Sequence, residues 1–348
     1  MKLRRSDPSY IHYVTRWYSV LLPKLVPLLY SNGGPIIMIQ IENEYGSYEA
    51  CDFSYTSYLR DMVRRYVGND IVLFTTDGDS DFFLKCGKID GVYATVDFGS
   101  GTDPIAAFAV QRAHEMHGPL VNSEYYSGWI DHWAEPHSIV STSRVTKTLD
   151  QMLSLNASVN IYVFEGGTSF AFKSGANFGA SLQPNPTSYD FDAPLTEAGD
   201  PTDKYYAIRD IVSKYLPLPP LPVPKPSPKL IFGPIVLEKV ASMFDVVHYS
   251  NDTVKSTYPL TFEELGVRHG FVLYTTTINI KPSDPAVLNI ETLNDRAQVF
   301  VDYKYQGTLS RMLNINTLPV NAKKGSRLDI LVENQGRICY GSLIDEFK

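Results

Sequence analysis

Seven of the thirteen residues at 216–228, LPLPPLPVPKPSP, are proline. Proline fixes its own φ and has no backbone N–H, so this run fits neither a helix interior nor a sheet ladder and must lie extended. It cuts the 348-residue chain into two lengths, each long enough to bury a core of its own. The expected division is residues 1–215, a linker at 216–228, and residues 229–348. SH3 and WW domains bind runs of this kind, which would make the chain an interaction protein. In the middle of a folded chain an interdomain strap is the stronger reading.

Before the strap, strand-like and helix-like patterns alternate. Apolar runs at residues 35–44, 71–76, 91–97, 120–124 and 159–164 read as strands. The segments at 55–66, 104–116, 144–155 and 203–215 read as helices, and Asp7-Pro8 caps an earlier one whose Tyr10, Val14, Trp17 and Leu21 form an apolar stripe. Strands separated by helices of this length predict βα units in a parallel sheet, an α/β class. After the strap the pattern turns all-β, with runs at 230–240, 270–280, 286–292, 298–303 and 327–332 that predict an antiparallel sandwich or jelly roll.

The hydrophobic fraction of 44% with 20% charged residues suits a folded globular chain. A net charge of −7, with no basic run after Lys2, Arg4 and Arg5, argues against nucleic acid as a partner. No apolar stretch reaches the roughly 18 residues of a membrane span, and the first ten residues do not read as a signal peptide. No His/Cys/Asp cluster has metal-ligand spacing, and no cofactor is expected. Three cysteines do not diagnose a disulfide framework, although Cys51 and Cys86 are able to pair and leave Cys339 over. Of two open N-x-S/T sequons, Asn251 in a polar loop is the expected glycosylation site, and Asn156, between a helix and a strand, is expected unmodified.

Chemistry is concentrated at two strand ends. In residues 35–44, PIIMIQIENE, the odd positions Ile37, Ile39 and Ile41 are apolar, whereas Gln40, Glu42 and Glu44 follow one another on the other face. In LVNSE, Leu120, Asn122 and Glu124 share a face that again ends in a carboxylate. Barrels of βα units keep their chemistry at the C-terminal ends of the strands. Two carboxyls there, one protonated and one ionised, are what glycoside hydrolysis needs. Asn43, Tyr45, Tyr125, Tyr126, Trp129 and Trp133 flank them, and aromatic faces suit the C–H faces of a sugar ring. Glu42, one layer deeper, is expected to hydrogen-bond inside the barrel.

The segments IENEYGSYEACDF, LFTTDG, LVNSEYYSGWIDHW, NIYVFEGGTSF and TSYDFDAPLTEAGDPTDKYYAIR closely resemble the glycoside hydrolase family 35 β-galactosidases. NDRAQVFVDYKYQG and LVENQGRICYG extend the likeness into the β part. The resemblance implies a (β/α)8 TIM barrel followed by a β-sandwich, and a retaining exo-β-galactosidase acting on terminal β-galactose of glycans or glycolipids. It implies Glu44 as acid/base and Glu124 as nucleophile. Asn43 would bind the sugar, and Tyr126, Trp129, Tyr162 and Tyr189 would line its pocket. It also implies a Cys51–Cys86 disulfide and a lysosomal or secreted location. The oligomeric state stays open, a homo-oligomer included.

The chain departs from the family pattern in places. Phe191 replaces a pocket tyrosine and lacks its hydroxyl, Ser169 replaces an asparagine, and Glu165 brings an unexpected carboxylate near the last strand. Relatives of this type have three further strands before the first one here and another β domain after the last. Five parallel strands do not close a barrel, which would leave the first and last with open edges. The expectation is therefore a truncated chain, poorly soluble and weakly active alone. The competing expectation is a catalytically incompetent truncated or splice product that binds a galactoside or a partner.

Overall fold

The computed structural model describes residues 1–249 and 253–348. Asn251, the expected glycosylation site, lies outside the described residues.

The chain forms two compact units. The first comprises residues 1–131, 136–168 and 189–226, and it holds a five-stranded parallel sheet. Its strands are β1 (Met38–Gln40), β2 (Val72–Gly78), β3 (Tyr93–Gly99), β4 (Val121–Tyr126) and β5 (Ser158–Tyr162), ordered as in the sequence. The helices are α1 (Pro8–Leu25), α2 (Phe53–Val67), α3 (Asp81–Gly87), α4 (Pro104–His114), α5 (Thr142–Ser154) and α6 (Asp203–Ser213). The short α3 has no counterpart in the sequence reading. Ala94, Val96 and Phe98 of β3 and Tyr125 of β4 meet Ala107 and Phe108 of α4, Val145, Leu149 and Met152 of α5, and Ile208 of α6 in one buried cluster. This layer makes the sheet a rigid platform whose strand ends all open on the same side.

Asp7 caps α1 as its sequence position implies, accepting from the N–H groups of Ser9 and Tyr10. The apolar stripe is rotated from the expected one. Trp17 is exposed, because α1 turns Tyr10 toward Tyr55 of α2 and bonds Thr15 to the Tyr58 hydroxyl.

Two strand expectations require correction. The strand at 35–44 is regular only at Met38–Gln40, and Glu42 and Glu44 have φ of 63° and 47°. The left-handed backbone ends the alternation, so Gln40, Glu42 and Glu44 do not share a face; Ile37 is exposed whereas Ile41 is buried. In β4 the register shifts between Asn122 and Tyr125. Asn122 therefore reaches Phe98 O and Met152 Sδ of the helix layer, and Ser123 bonds the hydroxyls of Thr76 and Thr95. Glu124 does not share a face with Asn122, since a bulge reverses the side-chain alternation beyond it.

The second unit comprises residues 132–135, 169–188 and 227–348. Among its described residues, strands Gly270–Thr277, Arg327–Asn334, Arg296–Val301 and Lys304–Ser310 form an antiparallel sheet in that spatial order. A ribbon of Ala286–Asn289 and Thr317–Val320 adds Leu288 and Leu318 to the core of Ala297, Val299, Leu309 and Val332. No strand forms at 230–240, where the side chains of Ile231 and Val240 are 97% and 96% exposed. Pro234 removes a ladder donor from the middle of this run, and apolar alternation makes no strand without a neighbour to pair with.

Candidate active site

Glu44 lies beyond the edge strand β1 on a single 3-10 turn, Tyr45–Ser47, for which it is the N-cap residue. Its N–H donates to Thr76 O of β2. The next anchor is the Gly46 N–H, which donates to the buried Asp77 Oδ1 at 2.7 Å. Gly46 has no room for a side chain, since a Cβ would lie 1.9 Å from Phe83 O. Cys51 and Cys86 form a disulfide across 35 positions with Cα atoms 5.1 Å apart, tying the segment after this turn to α3. On its other side, Arg4 bonds Glu42 and Asn43 O and lies over the rings of Tyr45 and Tyr48.

Glu42 accordingly does not point inside the sheet as expected. It accepts from Arg4 and from the Tyr55 hydroxyl of α2, which is a bracing role. Asn43 is exposed beside Glu44, with its Oδ1 accepting from Gln40.

Glu124 is held differently, inside β4 and paired with Asp97 of β3. The two glutamates meet at one phenol. The Tyr126 hydroxyl is 2.9 Å from Glu44 Oε1, 3.2 Å from Asp97 Oδ1 and 3.4 Å from Glu124 Oε2. Burial, then the charge of Glu44, pushes Glu124 up to about 7. Burial, then the charges of Glu44, Glu124 and Asp77, pushes Asp97 up to about 8. Asp77 rises to about 7 by burial, against the opposing Gly46 bond. A site of this kind holds protons at neutral pH, because neighbouring carboxylates in low dielectric resist ionising together.

An aromatic wall adjoins the carboxyls. Trp129 and Tyr162 stand edge-on to Tyr126, and Phe191 contacts Trp129 and Tyr162 and stacks on Tyr189 at 16°. The Tyr162 and Tyr189 hydroxyls are 3.1 Å apart. Phe191 is 2% exposed and has φ of 61°. Gly128 lets this loop approach, since a Cβ there would lie 1.7 Å from Phe191 O. The buried Lys204 locks the loop by donating to Ser127 O, Asp192 O and Asp192 Oδ2.

The remaining flanking aromatics do other work. Tyr45 and Tyr125 are buried and donate to Arg4 O and Val145 O, and Trp133 belongs to the second unit. Glu165 is exposed. Among the described residues, no group of three or more His, Cys, Asp or Glu is placed to hold a metal ion, and no helix is long and apolar enough to cross a membrane.

Sequence reasoning passed over Asp77, Asp97, Arg4 and Lys204. A signal for the first two was present, since consecutive strands read TTDG, VDFG and NSE and so end in acids one after another.

Residues 1–215 match glycosyl hydrolases family 35, and residues 259–348 match the first all-beta domain of beta-galactosidase. A beta-galactosidase of Homo sapiens is 50% identical over 351 residues, covering 99% of this chain and 51% of its own length. A beta-galactosidase of Bos taurus is 49% identical, with 99% and 53% covered. The chain thus spans about half the length of these relatives. Among solved structures, a Bacteroides uniformis beta-glucuronidase aligns with 95% of this chain and 38% of its own at 12% identity, with a TM-score of 0.41.

Proposed function

The chain belongs to glycosyl hydrolases family 35, and on that premise we propose that it bears the catalytic pair of a retaining exo-β-galactosidase. Its substrates are terminal β-linked galactosides of glycoproteins, glycolipids or related glycans. Residues 1–215 form the catalytic region, supplying five strands of a (β/α)8-type barrel. Residues 216–228 are the linker and 229–348 hold the β-sandwich; the family matches end at 215 and resume at 259, which supports the break at 215.

Glu124 attacks the anomeric carbon while Glu44 protonates the leaving oxygen, giving a glycosyl-enzyme; Glu44 then takes a proton from the water that releases the sugar. The single observation that carries this reading is the shared Tyr126 hydroxyl. Its contacts with Glu44 and Glu124, laid end to end, fall short of the ~6.5 Å that an inverting pair needs to admit a water. The same hydroxyl supplies a proton path. Glu124, neutral in the empty site, passes its proton to the phenol oxygen as the phenol passes its own to Glu44. That leaves Glu124 ionised for attack and Glu44 charged with the proton it must donate.

Tyr126, Trp129, Tyr162 and Tyr189 form the wall against which the C–H face of galactose packs, with the buried Phe191 backing Trp129, Tyr162 and Tyr189, and Asn43 bonds a sugar hydroxyl beside Glu44. The disulfide supports a lysosomal or secreted location, because such bonds persist in oxidising compartments.

A 2-deoxy-2-fluorogalactosyl fluoride tests the assignment by trapping the glycosyl-enzyme. Peptide mass mapping is expected to place the label on Glu124; a label on Glu44, or on a residue outside β4, overturns it.

A further inference from the structure

The Tyr126 hydroxyl has one hydrogen and three carboxyl neighbours. It donates to one of them, and each of the others makes a favourable contact only if it brings a proton of its own. Asp97 is 5% exposed, and its Oδ2 is buried without a hydrogen-bond partner. An ionised carboxylate in that position would leave a buried charge uncompensated. The charged groups that face it are acidic throughout. They are Glu44 from the turn beyond β1, Asp77 from β2 and Glu124 from β4, with Tyr126 as the neutral fourth. Behind β3, α4 turns its basic groups elsewhere, Arg112 to the carbonyls of residues 115, 117 and 118 and His114 to Asp81.

We infer that Asp97 is a positioning residue that works as a neutral acid, donating its own proton from Oδ1 to the Tyr126 oxygen and so directing the Tyr126 hydrogen at the Glu44–Glu124 pair. This rests on the reading of those glutamates given above. A protonated Oδ1 gives the contact at 3.2 Å a hydrogen, and it leaves Oδ2 a neutral carbonyl, the least costly form for an oxygen without a partner. It also keeps a further negative charge away from a catalytic pair that already shares one proton. The consequence appears as pH rises: when Asp97 ionises it stops donating and sets an added negative charge beside the ionised nucleophile, so the rate falls on the basic side.

Infrared titration of the full chain reads the proton directly, without needing turnover. Wild type is expected to show protonated-carboxyl C=O absorption at pH 6 from Asp77, Asp97 and Glu124, and the component that fades last, as pH passes about 8, is expected to be missing from Asp97→Asn. An Asp97→Asn spectrum that keeps all of the wild-type absorption overturns the inference. Rate profiles with nitrophenyl galactoside give a second reading. Asn still donates to Tyr126, so Asp97→Asn is expected to recover at least tenfold of the activity lost in Asp97→Ala and to move the basic limb of the profile upward. Equal losses in the two variants would show that the carboxylate is needed as a charge, which overturns the inference. Fluorosugar labelling tests Glu124 separately: a label elsewhere, with the infrared result intact, would break the nucleophile assignment and leave the state of Asp97 standing.

Discussion

Glu44 and Glu124 reach the same hydroxyl by different constructions. Glu124 is part of a strand with neighbours on both sides, so the ladders to β3 and β5 set its place and a bulge sets its direction. Glu44 stands past the end of an edge strand in left-handed backbone, a conformation that costs a non-glycine residue of order 1 kcal/mol or more. Ladder bonds cannot hold it there. One backbone bond to Thr76, the Asp77 contact to Gly46, the Arg4 brace and a disulfide hold it instead. A catalytic group inside a sheet takes its precision from the sheet, whereas one beyond the edge needs side-chain and covalent clamps, each of which can be cut separately.

The largest expected effect separates the two in chemistry. Glu124→Gln should lower galactosidase turnover by on the order of 10⁴-fold or more, as removal of a nucleophile does elsewhere. Glu44→Gln should keep some turnover of nitrophenyl galactoside, because a good leaving group departs without a proton, and azide should raise it. Azide rescue of Glu124→Gln with retained configuration would reverse the two roles.

The next effect separates them in construction. Replacing Cys51 and Cys86 together by serine opens a loop of 35 residues and should cost ~3–4 kcal/mol in a urea titration. Activity should fall further than stability alone explains at temperatures where the chain stays folded, since the turn bearing Glu44 loses its tie to α3. Unchanged activity in the folded variant would mean that Arg4 and Asp77 suffice.

The carboxyls that surround both groups predict a pH dependence. Asp77, Asp97 and Glu124 bind protons more tightly in the folded chain than in the unfolded one, so folding takes up protons between about pH 4 and pH 8. Their contribution to stability is complete at the acid end of that window and is lost as pH rises through about 7 to 8. Thermal unfolding should accordingly show Tm falling by several degrees from pH 5 to pH 8. Below pH 4 the sign reverses, because Asp52 is held below the usual carboxylate range, its burial outweighed by bonds from Ser6, Ser54 and Tyr55. A Tm that rises from pH 5 to pH 8 would contradict the proton count of the site.

The smallest effect tests the sheet side. Ser123→Ala removes a buried hydroxyl shared with Thr76 and Thr95 and should cost about 1–2 kcal/mol while leaving the pairing of β4 intact. Turnover should change less than in the disulfide variant. A larger loss of activity than of stability would mean that the Ser123 hydroxyl contacts, and not the ladders, set the place of Glu124.

Much of this was legible in the sequence, and the reason is local. The βα alternation before the proline run, the N-cap at Asp7 and the acids near the ends of β1 and β4 are written in periodicities of two and of about 3.6 residues, which neighbouring residues impose on one another. The same local rules misjudged residues 230–240, whose alternation has no partner to pair with, and they aligned Glu42 with Glu44 and Asn122 with Glu124. One left-handed residue or one bulge is enough to turn a side chain to the opposite face, and neither leaves a mark in the hydropathy pattern.

By itself, the order of residues determined the strand–helix alternation, the family and the presence of two glutamates at strand ends, because each of these depends on residue type at short range. Only the tertiary structure decided that Glu42 braces Arg4 and Tyr55 instead of facing the sheet interior, that Asp97 becomes the third acid on Tyr126, and that Lys204 locks the loop of Phe191. Those contacts join residues 12 to 77 positions apart. Whether a carboxyl there is a brace, a proton store or a nucleophile depends on the burial and the neighbouring charges that folding brings to it.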